Sequence, residues 1–218
     1  MKNLTILAVS ILACLFTSGC VVGRRTVSLN VPTAASVGAA TKGTVVIKSV
    51  ADARKFENKP AAPSTPSIDG DVNEISAEQR KTFIGRQRNG FGHAMGDIVL
   101  PAGHTVESET LDLVRAGFAR RGYEVVTESK AGGKNTVEVS IDEFWAWFTP
   151  GFATISFESN ITCKLTVKRG DVVQNITITG HGLNIGQIAS DANWALAYSR
   201  GFEDFLSKLD AELAKAGF

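Results

Sequence analysis

The chain has 218 residues, with 23 Lys and Arg against 22 Asp and Glu, 44% hydrophobic residues and 6 Pro. This composition excludes disordered, collagen-like and low-complexity classes, and a formal charge of +1 offers no electrostatic footprint for a nucleic-acid backbone. The length suits one medium domain with extensions, at roughly 100–200 residues per domain.

Lys2 supplies a short positive start, and Leu4 to Phe16 is an apolar stretch without charge. A run of this length falls short of the about 20 residues that span a bilayer and fits the hydrophobic region of a secretory signal. Thr17-Ser18-Gly19-Cys20 then gives small residues ending at a cysteine. These residues resemble a bacterial lipoprotein signal with its lipobox, with Thr17 where Leu is usual and Leu15 two residues earlier. The resemblance implies that residues 1–19 are removed and that Cys20 becomes the first residue, diacylated on sulfur and acylated on its amine with palmitate-type chains. Val21 in place of Asp implies sorting to the outer membrane, facing the periplasm. Two or more acyl chains hold a protein stably where one is marginal. Lys2 leaves with the signal, so 22 basic and 22 acidic residues remain and charge adds nothing to attachment. With Cys14 removed and Cys20 lipidated, Cys163 has no partner, which excludes a disulfide framework.

Residues 20–42 are rich in Ala, Thr, Ser, Gly and Val and read as a tether, with a short strand at Val27–Val31. Thr44–Val50 is β-branched and reads as a buried strand. Residues 57–82 form a long polar loop with Pro60, Pro63 and Pro66 closely spaced, a length that is functional or mobile. Phe83-Ile84-Gly85 opens a second short strand before a glycine-rich stretch. Thr105–Arg121 is an amphipathic helix with Val106, Leu111, Leu113, Val114 and Phe118 on its stripe, Glu107 and Glu109 at its start, and Gly122 as its stop. Tyr123–Thr127 is a short strand.

The strongest pattern follows. Odd positions from Ile155 to Val167 are apolar or small and the even ones polar, the signature of a long half-buried antiparallel strand. Val137, Val139 and Ile141 alternate in a strand before it, and Val172–Thr179 is its partner after the Arg169-Gly170-Asp171 turn. Cys163 falls on the apolar face, as a buried inert thiol. Ser190 caps a last helix whose stripe is Trp194, Tyr198, Phe202, Phe205, Leu209 and Leu213. The expected fold is α+β, a two-layer sandwich of a mainly antiparallel sheet with two amphipathic helices on one face, in a single periplasmic domain over residues 43–218.

The chemistry-bearing motifs do not assemble. Gly90–Gly96 is one residue too long for a dinucleotide loop and has no βαβ frame. Asp69–Glu74 begins like a calcium loop but lacks Gly at the sixth position and Glu at the twelfth. His93, His104 and His181 are scattered, without a zinc-binding spacing, and no nucleophile elbow is present. Asp142 and Glu143 point to opposite faces of a strand. No catalytic residue, metal site or cofactor is expected. One feature stands out: Phe144, Trp145, Trp147, Phe148 and Phe152 put aromatics on both faces of a strand end. Either the long loop or the tether covers the second face, or these five residues form an exposed patch for a partner protein or a lipid interface. In the latter case Phe144 and Phe148 are its expected members, since they share the face that is polar upstream.

Over residues 20–210 the chain resembles the YajG-type family of small bacterial outer-membrane lipoproteins. The resemblance rests on the lipobox, the early strand followed by Asp52-Ala53-Arg54, the helix ending Arg120-Arg121-Gly122-Tyr123-Glu124-Val125, the meander and the terminal helix. The long loop and the Trp145/Trp147 hairpin depart from it. It implies a lipid-anchored α+β domain with no established enzymatic activity. More distantly, the layout is similar to auxiliary lipoproteins of lipid-trafficking transporters and to the N-terminal domain of TolB-like proteins. The expected function is a non-enzymatic binding or assembly role towards another envelope component. The alternative is an auxiliary lipid or small-ligand carrier of a transport system, with an apolar groove between helices and sheet.

Overall fold

The computed structural model of the protein describes residues 23–33, 42–89, 91–127 and 134–218. Cys20 and the proposed signal lie outside them. The described residues form an α+β fold in which one eight-stranded sheet carries two long helices on one face. The strands are β1 (Arg25–Thr26), β2 (Thr44–Asp52), β3 (Phe83–Arg88), β4 (Ala94–Val99), β5 (Glu124–Val126), β6 (Asn135–Pro150), β7 (Ile155–Arg169) and β8 (Val172–Gly186). The helices are α1 (Ala77–Arg80), α2 (Val106–Arg120) and α3 (Asp191–Lys215).

Three long strands form the antiparallel meander read from the alternation, with β7 between β6 and β8. Because β7 occupies one edge of β6 along its length, the other edge is shared. Its first half pairs in parallel with β2, which pairs in parallel with β5. Its second half pairs with β3, which continues to β4 and β1. The sheet is mainly antiparallel, with parallel pairs along this divided edge.

Helix starts follow their capping chemistry. Thr105 and Ser108 close a capping box on α2, and Ser190 Oγ accepts the Asn193 N–H of α3. The stripe of α3 is buried throughout, from Trp194 to Leu213, as are Leu113, Val114 and Phe118 of α2. Each such side chain contributes about 1.5–3 kcal/mol of apolar burial. Where α3 crosses the meander the backbones come unusually close. A Cβ on Gly182 would lie 1.9 Å from the carbonyl oxygen of Ala197, and one on Gly180 2.4 Å from that of Gly201. Ser159 Oγ donates to the Ala197 carbonyl at 3.0 Å in the same crossing. Small residues on both elements thus let the helix rest directly on the strands.

The segment expected as a tether differs over residues 23–33. The Gly23 N–H donates to Met95 O at 2.8 Å, β1 pairs with Ile98 and Val99, Val27 is buried, and Leu29 and Val31 pack against the core. The pairing lies at Arg25–Thr26 rather than Val27–Val31, because Val27 onward turns its apolar side chains inward. Strand β4 was unread in the glycine-rich stretch. It forms a hairpin with β3, and its Gly96, at φ 147°, lets Gly23 cross directly over it.

Candidate functional site

The aromatic strand is the first site the sequence nominates. Strand β6 carries a β-bulge at Asp142: Ile141 pairs with Cys163 and Glu143 with Thr162. One extra residue reverses which side chains face which side. Val137, Val139 and Ile141 face the helices before the bulge, and Phe144, Ala146 and Phe148 face them after it. Phe144 stacks on Tyr198 at 5.1 Å, and Phe148 packs against Trp194 and Phe157 at 5.7 and 5.8 Å. The parity assumed from the upstream residues therefore does not continue, and Phe144 and Phe148 belong to the helix-side core.

Trp145 and Trp147 take the opposite face, where the long loop covers them. Ile68, Phe83 and Val99 surround them, with Phe56, Val72 and Ile75 at the margin. The Trp145 indole N–H donates to Pro63 O at 3.2 Å, and Phe56 meets its ring edge-on at 5.8 Å. Of the five candidate partner-binding residues, Phe144, Trp145, Trp147 and Phe148 are buried and Phe152 is fully exposed. The patch reduces to one side chain on the β6–β7 turn. Phe148→Ala is accordingly expected to lower unfolding free energy by about 3–5 kcal/mol, measured by urea denaturation; a loss below about 1 kcal/mol is the result for a surface side chain.

Arg54, noted in sequence only within Asp52-Ala53-Arg54, holds the fork where β2 leaves β6 and β3 takes its place. Its guanidinium is buried, pairs with both carboxylate oxygens of Asp52 at 2.8 and 2.9 Å, and donates to the carbonyls of Phe83, Phe144 and Arg80. It also lies over the Phe56 ring at 5.2 Å. This is a structural arginine that ties the loop layer to the sheet.

A cleft of about 720 Å³ opens between the loop and the β3–β4 hairpin. Lys59, Arg86, Arg88 and His93 line it together with Asp69 and Asp71. Arg86 is largely buried and contacts Asp69 at 3.2 Å, and its Nε has no partner. Arg88 Nη1 donates to Pro60 O at 2.8 Å; burial, and then the charge of Arg86, pull its pKa down. Asp97, which accepts the Asp69 N–H at 2.9 Å, is held above the usual carboxylate range by burial, opposed by Arg86. Two partly desolvated guanidiniums suit an anionic or polar ligand. The sequence signal was the alternation of Arg86 and Arg88 on one strand, but their partners lie far away in the loop. The other candidates keep local roles. Asp71 accepts from Asn73 and Asn58, which holds its pKa low, in a turn rather than a calcium loop. His104 Nδ1 meets Glu109 at 2.7 Å, and burial pushes the Cys163 thiol up. Among the described residues no group of three or more His, Cys, Asp or Glu comes together. The space between helices and sheet, where the alternative carrier reading needs a groove, is filled by Phe144, Tyr198, Phe202, Phe205 and Leu206, all fully buried.

One end of the sheet gathers the remaining exposed apolar residues. β3 and the second half of β6 run parallel, β7 begins beside Pro150, and β8 finishes opposite Ile155. The β3–β4 turn, the β6–β7 turn and the β8–α3 connection therefore share one end, and they carry exposed Phe91, Phe152 and Ile188.

No family model and no curated protein matches the chain. Solved structures similar to it include the following three. An uncharacterized protein has 11% identity and a TM-score of 0.43, covering 87% of this chain and 99% of its own. Protein XCC0632 from Xanthomonas campestris, of the DUF330 family model, has 11% identity and a TM-score of 0.43 over 89% and 95%. The hypothetical protein CT253 from Chlamydia trachomatis has 10% identity and a TM-score of 0.38 over 75% and 96%.

Proposed function

We propose that the chain is a lipid-anchored outer-membrane protein, held by acyl chains on Cys20 and facing the periplasm, with a non-enzymatic binding or assembly role towards another envelope component. The reading rests on the signal-like residues 1–19, the Thr17-Ser18-Gly19-Cys20 sequence and the resemblance to YajG-type lipoproteins. The observation that carries it is the docking of Gly23, only three residues beyond Cys20, onto Met95 at the sheet edge. That contact sets the start of the described residues, three positions from the anchor, against the sheet, and a domain held at a membrane needs only weak contacts with its partner. No helix of the described residues is long and apolar enough to cross a membrane, so in this reading the lipid supplies the attachment.

The test is fractionation of cells in which residues 1–20 are replaced by an ordinary cleavable secretory signal, so that the mature variant starts without the lipid cysteine. Full release of the variant into the soluble envelope fraction is the expected result. Membrane retention equal to the parent would overturn Cys20 as the anchor. The cleft at Lys59, Arg86 and Arg88 favours a second reading, an auxiliary ligand-binding lipoprotein of a transport system. Its ligand would be anionic, held on the loop face rather than between helices and sheet.

A further inference from the structure

The place where the chain joins the sheet has company. Gly23, just before β1, is fixed against Met95 and crosses Gly96 near the start of β4, while β1 itself pairs in parallel with Ile98 and Val99 at its end. Arg25 reaches the carbonyl of Ala189 and pairs with Asp191 at 2.6 Å, at the start of α3. These contacts place Gly23 at the same end of the sheet as the β3–β4 turn, the β6–β7 turn and the β8–α3 connection. Three residues of extended chain reach at most about 10 Å, so a group on Cys20 stays close to this end.

That end is where the protein exposes single large apolar side chains. Phe91 is 89% exposed, Ile188 68%, and Phe152 completely so. Ile185, on the outer face of β8, adds to them. They stand on separate turns, so they form no continuous face of the kind a protein interface core needs, whereas each enters a fluid layer independently. The charges around them favour a negative surface. Arg24 is exposed while it pairs with the buried Asp97 at 3.7 Å, and Lys59 and Arg88 border the neighbouring cleft. Of the acids nearby, Asp191 and Asp69 are bridged by Arg25 and Arg86, and Asp71 keeps its negative charge in the cleft beside Lys59 and Arg88.

We infer that this end is a membrane-facing surface, with Phe91, Phe152 and Ile188 seated among the lipid headgroups of the bilayer that holds Cys20; the inference rests on the lipid-anchor reading above. Aromatic and aliphatic side chains at that depth gain apolar burial, while arginines and lysines beside them meet lipid phosphates. The domain then stands with the β7–β8 turn furthest from the membrane and its cleft opening near the headgroups.

The experiment is site-specific photo-crosslinking in living cells, with a photoreactive amino acid in place of Phe91, Phe152 or Val173. Val173 is an exposed control beside the β7–β8 turn. Mass analysis of the mature N-terminal peptide from the same cells reads acylation independently. Lipid adducts from Phe91 and Phe152 and none from Val173 are expected. Absence of lipid adducts at the two tips, adducts to a protein instead, or equal lipid adducts at Val173 would overturn the orientation, and with acylated Cys20 would leave the anchor intact. Lipid adducts at the tips from a chain that lacks acyl groups would sustain the membrane-facing surface and overturn the anchor.

Discussion

Gly182→Ala is expected to remove more than about 4 kcal/mol of stability, placing it among the largest single-substitution effects. The added methyl would sit 1.9 Å from Ala197 O and 2.5 Å from Gly201 N, both backbone atoms of α3. No rotamer change relieves a clash between a Cβ and a main chain, so the helix must lift. Lifting it loosens Trp194, Tyr198, Phe202 and Phe205 together, since all four lie on the face it presents to the sheet. Against a total of about 5–15 kcal/mol for a typical domain, the variant should populate an unfolded or loosely packed state at 37 °C. Urea unfolding followed by circular dichroism measures it. Leu183→Ala is the matched control, because Leu183 is exposed and the change should stay within about 0.5 kcal/mol. Equal midpoints for the two variants would show that the close crossing does not exist.

Arg54→Met is the second large effect, with an expected loss of about 3–5 kcal/mol. Methionine fills much of the volume but leaves the Asp52 carboxylate with only the residue-54 backbone N–H, and takes the guanidinium from the carbonyls of Phe83 and Phe144. A buried ion pair is a weak source of net stability, yet removing one partner is strongly destabilising because the other charge stays behind. The double variant Arg54→Met, Asp52→Leu should therefore recover part of the loss. A double variant no better than the single one would mean that the carbonyl contacts, rather than the ion pair, dominate. The double-mutant cycle separates these alternatives.

Much of the helix-side architecture was legible in the sequence because periodicity and burial agree there. The alternation from Ile155 to Val167 names the inward residues of β7, and the α3 stripe is the buried face observed. Beyond residue 141 the same logic failed for a physical reason. From Phe144 to Phe148 both faces are apolar, so alternation carries no parity, and an extra residue at Asp142 leaves no trace in composition. The cover over Trp145 and Trp147 was equally hidden. Phe56, Ile68, Val72 and Ile75 are dispersed among prolines and polar residues, and no period connects them. The cleft joins residues 58–71 to 86–94, two stretches that look like ordinary surface in isolation. Gly96 weakened the β4 pattern because its role is to let another strand's backbone cross, which no side-chain rule reports.

The bulge at Asp142 also divides how the molecule opens. It places two tryptophans with the small core beneath the loop, and the phenylalanines with the large core beneath the helices. A sheet with separate cores on its two faces has two cooperative units, of which the smaller opens at lower free energy. Lifting the loop would cost the Trp145–Pro63, Arg88–Pro60 and Asp69–Asp97 hydrogen bonds, the Arg86–Asp69 pair, the Arg54–Phe56 contact and the apolar contacts of Phe56, Ile68, Val72 and Ile75, while β6 stays paired with β7 and the helices stay seated. Such an excursion bares Trp145 and Trp147 but keeps Trp194 dry, and it widens the arginine-lined cleft without unfolding the domain. The protein thus carries a small, loop-covered core on one face of the sheet and a large, helix-covered core on the other.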